Sequence, residues 1–174
     1  NTANNKYAYI VGVSDYEGTQ NDLTYCDGDA IDWKNYLQSQ GFNVRMDLDR
    51  SATSSSIEAG LQWLVNSAQA GDEVVFCYSG HGTSYGQNGS CIISTDLYYL
   101  THDFVMQYLN AAEGIKKLVA LDACEIGDFN DNCVSGMVVS TASNTSYSYD
   151  GDAGMQNGEW TYYFMKALNN LGYQ

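Results

Sequence analysis

Three segments, Tyr7 to Val13 (YAYIVGV), Glu73 to Tyr78 (EVVFCY) and Lys117 to Asp122 (KLVALD), carry apolar residues at successive positions instead of alternate ones. A strand of that kind has no face to give to water, so it must be covered on both sides, as in a parallel sheet between two helical layers. Phe42 to Leu48, Cys91 to Ser94 and Met137 to Thr141 (MVVST) add three further strand candidates. Between the strands, apolar residues recur at helical spacing. Ala30, Trp33 and Leu37 follow Asp29, and Ile57, Leu61, Leu64 and Ala68 follow a Ser55-x-x-Glu58 capping box. Val105, Leu109 and Ala112 follow an N-cap at Thr101, with Leu100 placed to staple onto Val105. Phe164, Leu168 and Leu171 precede a stop at Gly172. The alternation predicts an α/β fold: a three-layer αβα sandwich with a mainly parallel six-stranded sheet and four helices.

A length of 174 residues fits one domain, residues 1–174, with one core. Hydrophobic residues make up 44%, enough for a core despite a net charge of -14 from 21 acids against 7 bases. That charge repels a phosphate backbone, so nucleic-acid partners are not expected and basic ones are favoured. No apolar run approaches the ~20 residues of a membrane span, and the polar start at Asn1 does not read as a signal peptide. The Lys-poor composition, rich in Asn, Ser, Thr and Tyr, leans toward a secreted or cell-surface protein, and a monomer is expected. Five cysteines, Cys26, Cys77, Cys91, Cys124 and Cys133, leave at least one thiol unpaired within the chain. Cys26 and Cys77 read as small buried hydrophobes, whereas the pairing of Cys91 and Cys133 is open.

Chemistry concentrates at two strand ends. The apolar run EVVFCY stops in Ser-Gly-His-Gly, which sets His81 between Gly80 and Gly82, and KLVALD stops in Ala123-Cys124-Glu125. Ligands of open α/β sheets bind at the carboxyl ends of strands. If these two strands are neighbours, Cys124 and His81 meet there as nucleophile and proton-transfer group. The plain alternative is an inert buried cysteine and a loop histidine; the shared position at two strand ends favours the dyad. His102, in the first turn of a helix, reads as a surface residue. Tyr147, Tyr149 and Trp160 fit a peptide groove or core packing equally. Asp150 and Asp152 lie in a Gly-rich loop that can reach a pocket mouth.

YSGHG at Tyr78 to Gly82 and DAC at Asp122 to Cys124, about forty residues apart, resemble the catalytic His and Cys motifs of the caspase-fold cysteine peptidases. That clan holds caspases, metacaspases, legumain, clostripain and gingipain, and the metacaspase-like branch is the most similar. The opening strand YIVGVSDY, the Tyr25-Cys26-x-x-Asp29-Ala30 helix entry and the late GEWTYYFMKAL helix sit where such proteins carry similar segments. The resemblance implies catalytic roles for His81 and Cys124, with the N–H groups of Gly82 and Cys124 as an oxyanion hole. It also implies that Asp29 and Asp122, with Ser79 nearby, hold a basic P1 side chain. Carboxylates replace the hydration a guanidinium loses, and bidentate pairing favours Arg over Lys. Asp29 fits a helix N-terminal charge as well, and Asp122 a strand end.

The implied activity is a cysteine endopeptidase cutting protein or peptide substrates after Arg, then Lys, through a thioester. Metacaspases often read D-x-C-x-S-G, whereas this chain reads Asp122-Ala123-Cys124-Glu125-Ile126-Gly127, whose ACE is nearer to legumain-like and clostripain-like members. A different P1 choice therefore stays open, as does a catalytically silent binding module. No cofactor is required. Calcium suits the acidic surface, but Thr83 to Ser94 has no acid and Asp96 is the first, so the calcium site of some metacaspases cannot be carried over. Between Lys117 and Lys166 there is no Lys or Arg, so the enzyme is expected to act as an uncut single chain.

Overall fold

The computed structural model describes residues 4–170. In chain order the elements are β1 (Lys6–Gly12), α1 (Cys26–Ser39), β2 (Asn43–Leu48), α2 (Ser54–Ser67), β3 (Glu73–Ser79), β4 (Gly82–Ser84), β5 (Ser90–Ile93), β6 (Tyr99–Thr101), α3 (His102–Ala111), β7 (Lys116–Asp122), β8 (Met137–Thr141) and α4 (Glu159–Asn170). The central sheet runs β2-β1-β3-β7-β8 and every pairing in it is parallel.

Successive residues of each inner strand serve opposite cores. Ala8, Ile10, Val75, Cys77 and Ala120 pack with Ala30, Trp33 and Leu37 of α1 and Met165 of α4. Tyr9, Val11, Val74, Phe76, Val119 and Leu121 pack with Ile57, Leu61 and Leu64 of α2 and Val105, Met106 and Leu109 of α3. This double coverage is why YAYIVGV and KLVALD have no polar face, and it produces the αβα layering. Truncating a fully buried leucine such as Leu61 to alanine is expected to cost about 2 to 5 kcal/mol.

Several details differ from the sequence reading. The parallel sheet has five strands among the described residues, not six, because Cys91–Ser94 contributes to β5, the middle of a separate antiparallel sheet β4-β5-β6. Only Tyr85 to Gly89 separate β4 from β5. A connection that short makes a hairpin; a parallel pairing needs a crossover of a dozen or more residues. Helix α2 is capped by Thr53, whose hydroxyl accepts the N–H of Ser56 at 3.2 Å. Ser55 lies inside the helix, and Glu58 instead accepts the Tyr108 hydroxyl at 2.7 Å. Thr101 caps α3 through the N–H of Phe104, and Leu100 and Val105 are both buried. Leu171 and the stop at Gly172 lie outside the described residues.

His102 is not a surface residue: its side chain is 15% exposed, with Nδ1 2.6 Å from Asn132 Oδ1 and its ring edge-on to Phe129. The turn from Gly127 to Asn132 folds over the start of α3 and covers it. All five thiols are free; Cys26, Cys77 and Cys91 are buried and Cys133 is exposed. No described helix is long and apolar enough to cross a membrane.

Candidate active site

The carboxyl ends of β3 and β7 lie side by side, with Ser79 paired to Asp122 as the last register position. Beyond that pair the Gly80 N–H still reaches the Asp122 carbonyl, at 3.2 Å. His81 and Cys124 each follow two residues past it, and both line one small cleft of about 120 Å3. Leu23, Ser148, Tyr149 and Asp150 close its sides.

His81 is oriented by its far nitrogen. Nε2 lies 2.7 Å from the carbonyl oxygen of Asn21, which only accepts, so Nε2 carries a proton, and in the neutral ring the lone pair is on Nδ1. The ring packs on Tyr16 at a centroid distance of 4.7 Å. Cys124 is half-buried, and its sulfur accepts the N–H of Ser148 at 3.3 Å. Glu125 directly after it sits in the left-handed region, at φ 52°, and donates its N–H to Ser146 at 2.9 Å. That turn takes the chain sharply away from the thiol.

Gly82 begins β4 opposite Ile92. Because the Ile93 N–H donates to the His81 carbonyl at 3.1 Å, Gly82 and Ile92 form a non-hydrogen-bonded pair, and the Gly82 N–H points away from β5. A side chain on Gly82 would collide with the Cys124 carbonyl. Only glycine lets these two backbones come so close.

Two acids stand on the inner side of the cleft: Asp122 lines it, and Asp29 lies behind Ser79. Asp29, in the first turn of α1, is wholly buried: Oδ2 accepts the Ser79 hydroxyl at 2.6 Å, and Oδ1 accepts Asn157 Nδ2 at 2.9 Å and the Gly158 N–H at 3.0 Å. Asp122 is also buried, with Oδ1 accepting the Ser148 hydroxyl at 2.7 Å. Its Oδ2 accepts the N–H and hydroxyl of Thr161 at 3.1 and 2.8 Å. The beginning of α4 therefore donates to both carboxylates, where its dipole favours negative charge. Burial nevertheless pushes the Asp29 carboxyl up to about 7, offset by Ser79 and reinforced by the charge of Asp122. Burial raises Asp122 as well. Among the described residues neither acid has a lysine or arginine partner, and none lines the cleft.

The structure thus brings His81, Cys124, Gly82, Asp29, Ser79 and Asp122 together. Ser79 reaches the cleft mainly as the residue that orients Asp29. Asp150 lies at the rim, accepting the Thr24 N–H at 3.0 Å, whereas Asp152 only caps its own turn through Gly154 and Met155. Tyr147 and Tyr149 are exposed, not core, and with Trp160 and Tyr163 line a hollow of about 370 Å3 beside the cleft. Asp96 caps α2 through Ser54, and no described group of three His, Cys, Asp or Glu is arranged to hold a metal. Ser148, Asn157, Gly158 and Thr161 were not legible in the sequence. Ser148, Asn157 and Gly158 arrive from the loop before α4 and Thr161 from its first turn, and their spacing to the motifs carries no signal.

Residues 5–171 match the family model described as Caspase domain. Metacaspase-4 of Arabidopsis thaliana is 30% identical over 145 residues, covering 72% of this chain and 34% of that protein. Metacaspase-1 of Plasmodium falciparum is 28% identical over 159 residues, covering 74% of this chain and 25% of that protein. The chain thus spans about a third or less of the length of these relatives. A crystal structure of a Geobacter sulfurreducens protein shares the fold, with a TM-score of 0.78 over 98% of this chain and 84% of that one, at 18% identity.

Proposed function

As the chain belongs to the caspase-domain family of peptidases and is metacaspase-like within it, we propose that it is a cysteine endopeptidase cutting after Arg and, less well, Lys. The observation that carries the specificity is the cleft lining: the buried Asp122 carboxylate, with Asp29 behind it through Ser79, shares one cleft with the thiol and imidazole and has no lysine or arginine partner among the described residues. Keeping two such acids together is costly in an empty site, and a guanidinium from the substrate supplies the missing charge.

In the proposed reaction, His81 Nδ1 accepts the Cys124 thiol proton and the sulfur attacks the scissile carbonyl. The N–H groups of Gly82 and Cys124 receive the oxyanion, each supplying about 3 kcal/mol of transition-state stabilisation. His81 then passes its proton to the leaving amine, and water releases the acyl group from the thioester. Asp122, nearer the cleft than the fully buried Asp29, meets the guanidinium directly, and Asp29 sets the charge behind it.

Hydrolysis of fluorogenic peptides that differ only at P1, with Arg, Lys, Asn or Asp, tests this reading in the wild type and in Cys124→Ala. Arg above Lys, with the other two not cleaved and the variant silent, is expected. Cleavage after Asn or Asp would move the chain to a different specificity, and no cleavage by a folded wild type would leave a binding module.

A further inference from the structure

His81 stands between two glycines at the end of a strand, so its own neighbours do little to hold its backbone. The restraint comes from elsewhere. Its N–H donates to the phenol oxygen of Tyr16 at 2.7 Å. The Tyr16 and Tyr78 hydroxyls are 3.3 Å apart, and the Tyr78 hydroxyl donates to the His81 carbonyl at 2.7 Å. Read in the direction of donation, the path leaves His81 through its N–H, crosses two phenols and returns to His81 through its C=O. Ile93 completes the junction: its N–H lies 3.2 Å from the Tyr78 oxygen, and its carbonyl, 2.8 Å away, is the alternative acceptor for the Tyr78 proton.

Both phenols are buried, so this ring of bonds is shielded from water. Burial also pushes the phenol groups of Tyr16 and Tyr78 up, which keeps both protonated and able to donate. A separate observation shows how tightly the phenols close in: a side chain on Gly80 would come within 2.6 Å of both hydroxyl oxygens. The space that glycine leaves is the space the two phenols use. Tyr16 has a further role, since its ring also carries the His81 imidazole.

Resting on the peptidase reading above, we propose that Tyr16 and Tyr78 are positioning residues for the general base: their hydroxyls lock the His81 peptide so that Nε2 meets the Asn21 carbonyl and Nδ1 is left for Cys124. Neither tyrosine touches substrate. Loss of a hydroxyl leaves the ring and its packing in place: without that of Tyr16 the His81 N–H loses its acceptor, and without that of Tyr78 the His81 carbonyl keeps only the Ile93 N–H, so the imidazole loses its single orientation. Misplacing a catalytic group by about 1 Å costs on the order of a hundredfold in rate.

The test compares Tyr16→Phe, Tyr78→Phe and the double variant with Tyr9→Phe, a buried phenol that bonds Asp47 at 2.7 Å well away from the cleft. With an Arg peptide, kcat is expected to fall about ten- to a hundredfold in each single variant, with KM within about twofold and Tyr9→Phe unaffected. Nitrogen-15 NMR of the imidazole is expected to give one tautomer, protonated at Nε2, in the wild type and a mixture in the variants. Hydrogen exchange of the wild-type His81 amide, expected to be as slow as that of the β3 core, needs no variant and so stands even if a variant fails to fold. Wild-type kcat and a single tautomer in both variants, or a rapidly exchanging His81 amide, would overturn the proposal. The tautomer and exchange readings use no substrate, so a wild type that cleaves no Arg peptide would refute the peptidase reading and leave the positioning claim to be judged separately.

Discussion

The Ser148 N–H donates to the thiol sulfur of Cys124 at 3.3 Å, while the hydroxyl of the same serine donates to Asp122 at 2.7 Å. One residue thus ties the proposed nucleophile to the proposed specificity acid. The thiol in turn lies 3.5 Å from the Ser148 carbonyl, so both backbone groups of Ser148 hold the sulfur in place. Removing the Ser148 hydroxyl leaves the contact to sulfur and frees Asp122, so Ser148→Ala is expected to weaken discrimination between Arg and neutral P1 residues about tenfold while thiol alkylation stays near wild type. Parallel loss of both would show that the serine acts only through the fold of its loop.

Asp122→Asn keeps the shape of the pocket and removes the charge that lines it. With hydrogen bonds to charged groups worth about 1.5 to 3 kcal/mol, kcat/KM for an Arg peptide should fall about 10- to 150-fold, with slow cleavage of a neutral-P1 peptide unchanged. An unchanged Arg preference would remove Asp122 from the pocket.

Asp29 makes the site pH-dependent. Burial raises its carboxyl from 3.8 to about 7, so the folded chain holds a proton that the unfolded chain releases. The associated stability is fully present below the unfolded value, is lost as pH rises to about 7, and is constant above it. Its size is on the order of 4 kcal/mol. Asp29→Asn is therefore expected to be more stable than the wild type at about pH 8 and little different at about pH 4. A bound guanidinium favours the ionised acid, so the affinity of a small guanidinium ligand should rise with pH up to about 7 and then level off. Calorimetric titration at about pH 5.5 and about pH 8 checks this, and equal affinities would contradict it.

Much of this was legible in the sequence for a physical reason. Strands buried on both faces cannot alternate, so YAYIVGV, EVVFCY and KLVALD announced the parallel sheet, and both motifs stand at the ends of such strands. The misplacement of Cys91–Ser94 arose because a short apolar run does not reveal its partner; the five-residue connection to β4 does. Thr53 was passed over for Ser55 because a capping box read from residue types alone does not fix where the helix begins. The hold of Asn157, Gly158 and Thr161 on the two acids spans more than a hundred residues in the case of Asp29 and follows only from tertiary packing. The pairing of Tyr16 with Tyr78 leaves no mark in the sequence, since the hydrogen-bond partner of a phenol follows only from the fold.

The segment after the nucleophile contains no basic residue between Lys117 and Lys166, so an Arg- and Lys-directed enzyme has no site there at which to cut itself. Intact-mass analysis of fully active protein is expected to show no cleavage between Cys124 and Trp160. A self-generated cut in that stretch would contradict the specificity or the single-chain activity.

The central claim, a Cys124 nucleophile served by an acid-lined pocket, is tested most directly by covalent labelling. A peptidyl-arginine acyloxymethyl ketone and its norleucine analogue would be reacted with the wild type, Cys124→Ala, His81→Ala and Asp122→Asn, and the adducts mapped by tandem mass spectrometry. The account predicts a thioether on Cys124 alone, forming much faster with the arginine probe, absent in Cys124→Ala, slowed in His81→Ala, and losing its arginine preference in Asp122→Asn. Equal labelling by both probes, or an adduct on Cys26 or Cys133 in place of Cys124, would contradict it.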